Sequence, residues 1–176
     1  MTSMNPPSNP VGLFSLAGEY DESVKADNIE AIRNAPIQLK DAVEGLNDSQ
    51  LDTPYRNWTI RQIVHHIADS HVNSYIRFKW TLAENHPTIK AYDEADWVEL
   101  ADSKSGDIGP SLALLEGLHA RWVQTLESMT AEQFARAFVH PQTGDSIDLW
   151  TALNYYPWHG RHHTGQILWL RDQHGW

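Results

Sequence analysis

The sequence predicts an all-α fold: a four-helix bundle with short extra helices and an extended N-terminal arm. Three observations lead there. Apolar residues recur at three- and four-residue spacing through four long segments, the period of a helix with one buried face. Very little of the chain alternates as a half-buried strand does. Capping residues, Gly and Pro punctuate the segment ends.

Residues 1–22 hold three of the nine prolines and no clean period, so they read as an arm before one domain over 23–176. From Ser23 the pattern turns helical. Ile29, Ile32, Leu39, Val43 and Leu46 share a face, and Pro36 predicts a kink or split within it. Asn47-Asp48-Ser49 reads as a turn and cap. Thr59 offers its hydroxyl as the N-cap of a second helix over 60–84, striped by Ile60, Ile63 and Ile67. Residues 85–94 read as a loop, 95–101 as a short helix around Trp97, and 103–109 as a linker. Pro110 suits the first turn of a third helix, where its missing N–H costs nothing. Leu112, Leu115, His119, Trp122, Leu126 and Met129 form that helix's stripe. Thr130-Ala131-Glu132-Gln133 fits a capping box. Segments 137–140 and 146–148 flank Pro141-Gln142-Thr143-Gly144 as a small hairpin. Asp148 caps a last helix over 149–173, closed by Gly175, with Pro157 expected to bend it.

Composition narrows the chemistry. The chain has 176 residues, and its 13 Lys and Arg against 23 Asp and Glu give a net charge of −10. Nucleic-acid binding needs Lys and Arg for the phosphates, so it is excluded as a partner class. No apolar run reaches the ~18 residues of a membrane span. The first residues lack the basic and apolar regions of a signal peptide, so a cytoplasmic location is expected. There is no cysteine, which removes disulfides, thiolate nucleophiles and Cys-ligated zinc. A metal would have to be held by His, Asp or Glu, and the chain has ten histidines.

Two clusters of these matter. The second helix contains His65, His66 and His71, and the last contains His159, His162 and His163. His159 and His163 are four apart and lie on the stripe Ala152, Tyr156, His159, His163, Ile167, Leu170, which faces the core. Two imidazoles at that spacing can share one ion. His162 is the alternative to His163, at i,i+3. His66 lies beside the Ile63–Ile67 stripe and can turn inward, whereas His65 is rotated ~100° from it. His66, His159 and His163 would give three neutral nitrogen ligands, with a fourth position left to water. The bland alternative is a set of core histidines. His71, His86, His119, His140 and His174 read as surface or packing residues, and Trp58, Trp158 and Trp169 as packing. No Glu follows His159, so the general base of H-E-x-x-H is missing. Asp69 is a candidate to orient a ligand imidazole, or a solvated helix residue. Gln62, Asn73, Tyr75 and Trp158 are candidates for lining the pocket.

The strings WTIRQIVHHIADSHVNSYIRFKWTLAE, PTIKAYDEADWVELADSK and WHGRHHTGQI resemble the DinB superfamily, and within it the YfiT-type branch of metal-dependent hydrolases. The resemblance runs from about Asn9 to Trp176. It implies a four-helix bundle with one divalent ion per chain, zinc or nickel, on His66, His159 and His163. It also implies a homodimer. The wider membership implies enzymes that use low-molecular-weight thiols as co-substrates. Tyr55-Arg56-Asn57-Trp58 stands where this branch carries glycines before the Trp, which shortens the loop leading into the second helix.

Three functions follow as expectations. The first is hydrolysis of a small molecule at a three-histidine metal site. The second is S-transfer, in which the ion activates an external low-molecular-weight thiol. The third is a metal-binding stress protein without turnover.

Overall fold

Four long helices carry the fold in the computed structural model, which describes residues 5–16 and 18–176. Residues 1–4 and 17 of the expected arm lie outside the described set. In chain order the helices are α1 (Glu22–Val43), α2 (Asp48–Leu51), α3 (Ile60–Ala83), α4 (Glu94–Trp97), α5 (Ala101–Ser105), α6 (Gly109–Ser128), α7 (Ala131–Phe134) and α8 (Leu149–His174). Both α1 and α3 pack against α6 and α8, so α1 and α3 lie across one diagonal of the bundle. Two antiparallel ribbons close the ends: β1 (Pro54–Tyr55) with β2 (Trp58–Thr59), and β3 (Ala137–Val139) with β4 (Ser146–Asp148).

The helix ends follow from local chemistry. The Asp21 carboxylate accepts from the N–H groups of Ser23 and Val24. Thr59 and Gln62 form a reciprocal capping box at the start of α3, and Thr130 and Gln133 form another at α7. Asp148 caps α8, and Gly175 ends it in the left-handed region at φ 70°.

The bundle core is divided in two. One apolar cluster holds Ile29 and Ile32 of α1, Phe78 of α3, Trp122 of α6 and Leu149 and Leu153 of α8. The other holds Leu39 of α1, Ile60, Ile63 and Ile67 of α3, Leu115 of α6 and Ile167 of α8. Between them, at the same level on each helix, sit Pro36 on α1, His66 and His71 on α3, His119 on α6, and His159 and His163 on α8. All six are buried. A layer of imidazoles thus crosses the bundle.

Three expectations are corrected. Pro36 does not split α1, which runs on to Val43. The segment 103–109 is not all linker, because α5 extends to Ser105 and only the residues after it connect to α6. The short helix around Trp97 ends at Trp97, and α5 is a separate turn. Pro157 is accommodated inside a continuous α8, and the register of His159 and His163 is kept. Arg56 adopts φ 60° in the tight turn between β1 and β2, a conformation that glycine takes without strain.

Candidate metal centre

His66, His159 and His163 each offer a ring nitrogen within 4.8 Å of the others. The α3 stripe and the α8 stripe face each other here, so the three side chains converge at their junction. The Nε2 atoms of His66 and His159 are 3.3 Å apart. A tetrahedral ion with Zn–N bonds of ~2.0–2.1 Å holds its nitrogens about 3.3 Å apart, so this separation suits a shared ion. The Nδ1 of His163 donates to Gln166 Oε1 at 2.9 Å, which leaves its Nε2 lone pair for a ligand role. Trp58 lies against His66, ring centroids 4.6 Å apart. His65, one residue away, turns to α6 and meets Ser111 Oγ at 2.8 Å. His162 meets the same Gln166 amide, its Nε2 3.0 Å from Gln166 Nε2, and stacks on Trp158.

The layer is neutral at physiological pH. Burial holds His66 down to about 4, and burial and the neighbouring imidazoles hold His163 to about 3. Burial holds His119 to about 4. Burial first, and adjacent imidazoles second, keep His71 and His159 well below the ordinary value. Neutral imidazole is the form that binds a metal. The donor set of three neutral nitrogens therefore fits a divalent metal ion.

Sequence reasoning placed the neighbours less well. His71 and His119, read as surface or packing residues, are packed inside the bundle, 1% and 2% exposed. His71 Nδ1 meets His119 Nε2 at 2.8 Å, His71 Nε2 meets His159 Nδ1 at 3.3 Å, and His119 Nδ1 meets Ile32 O at 2.6 Å. The signal for His119 was present, since it lies on the buried stripe of the third helix. Gln166 carried a signal too, three residues beyond His163. Asp69 is half-buried on α3, and no hydrogen bond joins it to the three imidazoles among the described residues; burial raises its carboxyl to about 6. Gln62 is a cap and strap, since its Nε2 donates to Val98 O at 2.9 Å. Asn73 donates to Asp69 O. Tyr75 packs against the first apolar cluster and faces Arg121. Trp158 donates to Gly12 O of the arm at 3.0 Å and packs against Phe14. None of these four borders the two cavities that reach the imidazoles.

Those cavities approach from different sides. One, of about 310 Å³, ends at His159 between Ser70, Arg77, Tyr92, Glu94 and Tyr155. Burial raises the hydroxyls of Tyr92 and Tyr155, the latter to about 12, so both stay protonated at neutral pH. The other, of about 390 Å³, ends at His163 between Ser8, Arg56, Trp58 and Gln166.

The sequence profile of the DinB superfamily matches residues 31–167. The chain belongs to the DinB superfamily. Within that superfamily it is 49% identical to YfiT of Bacillus subtilis, a protein provisionally named a metal-dependent hydrolase, over 100% of this chain and 99% of that one. A relative from Geobacillus thermodenitrificans with the same provisional name is 44% identical over the full length of both. The solved structure of Bacillus subtilis YfiT, described as an unusual four-helix bundle, superposes with a TM-score of 0.93 at 48% identity. It covers 96% of this chain and 98% of its own.

Proposed function

We propose that this DinB-superfamily protein is a metal-dependent hydrolase acting on a small molecule, with one zinc or nickel ion held by His66, His159 and His163. The observation that carries the proposal is the buried convergence of three neutral imidazoles at the end of a polar cavity. An ion held by His66, His159 and His163 would supply Lewis acidity to a water or a substrate oxygen, because three neutral imidazoles leave its charge uncompensated. The chain's own groups hold the substrate. Tyr92 and Tyr155 can donate to a carbonyl or phosphoryl oxygen, and the Arg77 guanidinium can pair with an anionic group. Trp58 covers one face of His66 and limits solvent there.

A second reading uses the same residues for S-transfer from a low-molecular-weight thiol. Two cavities end at the imidazole trio, one at His159 and one at His163, as two co-substrates would require. The chain has no cysteine, so the thiol would arrive with the co-substrate. A screen of esters, amides and other electrophiles on metal-loaded protein, with and without small thiols, separates the two. Thiol-independent hydrolysis that vanishes in His163→Ala supports the hydrolase. Turnover only with thiol supports transfer. Stoichiometric metal with no turnover on any electrophile leaves a binding protein.

A further inference from the structure

Pro36 has no N–H, so the carbonyl of Ile32, one turn earlier on α1, receives no helical hydrogen bond from it. That carbonyl instead lies 2.6 Å from Nδ1 of His119. A carbonyl can only accept, so His119 Nδ1 carries the proton. A neutral imidazole has one N–H and one lone pair, so His119 Nε2 is bare. It faces His71 Nδ1 at 2.8 Å, and that atom must then carry a proton. The bare Nε2 of His71 faces His159 Nδ1 at 3.3 Å, which must donate in turn. The last free atom is His159 Nε2, and it points at the metal site. Four helices contribute one link each: α1, α6, α3 and α8.

We propose that the Ile32 carbonyl, His119 and His71 form a directional hydrogen-bond chain that fixes His159 as its Nδ1–H tautomer and presents its Nε2 lone pair to the ion. His71 and His119 are positioning residues, and Pro36 is the device that leaves the terminal acceptor open. An interior proline weakens a helix by removing a hydrogen bond, and an apolar layer would be less demanding than linked imidazoles. A packing role alone accounts for neither choice. The purpose of the chain rests on the metal-site reading; its proton positions do not.

Long-range ¹H–¹⁵N correlation on histidine-labelled, metal-free protein reads the tautomers directly, with assignment by single variants. The expected result is Nδ1–H with bare Nε2 in His119, His71 and His159. An Nε2–H tautomer in any of the three overturns the proposal, whether or not metal binds. If the tautomers are as expected but the wild type retains no zinc, the chain stands and the metal reading falls.

A pair of variants separates positioning from packing. His119→Gln places an amide oxygen near the former Nε2 and keeps an acceptor for His71. His119→Asn places its amide near the former Nδ1 and keeps only the bond to Ile32. In competition with a chromogenic zinc chelator, His119→Asn is expected to bind roughly tenfold or more weakly, within the ~10–100-fold range for partners behind metal ligands. His119→Gln is expected to recover most of that loss while being the less stable of the two to urea. Equal affinities, or the reverse order, contradict the proposal. Should either variant fail to fold, the wild-type tautomers decide.

Discussion

His65 and His66 are neighbours in sequence and face different helices. The ~100° step between successive helical residues sends one ring to Ser111 and the other to the trio. Their substitutions should therefore part. His65→Ala is expected to cost about 1 kcal/mol, the worth of one hydrogen bond, and to leave bound metal unchanged. His66→Ala is expected to remove most of the metal. Elemental analysis alongside urea denaturation checks both. This pair was legible in the sequence because periodicity orients each residue against the Ile63–Ile67 stripe. His71 was not, because its role depends on His119 and His159, which come from other helices. Trp158 agrees with its reading as a packing residue, and both it and Tyr75 lie away from the two cavities. An aromatic at a helix surface takes whichever neighbour the fold supplies, here the arm for Trp158 and Arg121 for Tyr75.

Within elements, the caps were the most readable features. Thr59, Thr130 and Asp148 each accept a backbone N–H as their sequence context predicts. Thr59→Ala removes one side of the capping box on α3 and is expected to destabilise the protein by about 1 kcal/mol. The shift in urea midpoint at constant slope measures it. Since Gln62 also ties α3 to Val98, Gln62→Leu should cost more than Thr59→Ala; the reverse order would assign that strap no weight. The prolines were harder to read. Local rules treat an interior proline as a break, yet Pro36 and Pro157 both lie within continuous helices. For Pro36 the compensation is an imidazole from α6, 83 residues away in sequence from the proline it serves, and no local pattern encodes that. The β1–β2 ribbon was missed because its turn uses Arg56 at φ 60° where a Gly or Asn would have signalled it.

Across the whole molecule, two apolar clusters enclose the imidazole layer, and this arrangement makes stability depend on pH. An unfolded chain protonates its histidines near pH 6.5. In the folded, metal-free protein, burial holds His66 and His119 to about 4 and His163 to about 3. Between those limits the unfolded state binds more protons. Stability is therefore complete above about pH 6.5 and falls as pH drops, by about 1.4 kcal/mol per pH unit for each such imidazole. Acid titration followed by circular dichroism should show metal-free protein unfolding within that window, and bound metal should move the midpoint lower. A flat profile between pH 6.5 and 4 would mean that the rings are solvated. The clusters themselves are separable from the site. Leu153→Ala, at a fully buried position of the first cluster, is expected to cost about 2–5 kcal/mol without changing metal stoichiometry. Among the described residues no helix is long and apolar enough to cross a membrane.

The most direct measurement is the metal content of purified protein after zinc or nickel loading and desalting, by mass spectrometry of the elements, for wild type and single alanine variants. Three converging imidazoles predict about one equivalent per chain in wild type. His66→Ala, His159→Ala and His163→Ala should each lose most of it, and His65→Ala and His162→Ala should keep it. Less than roughly a tenth of an equivalent in wild type, where a formed three-nitrogen site should retain its ion, would contradict the assignment. So would a variant in which loss of His162, rather than His163, releases the metal.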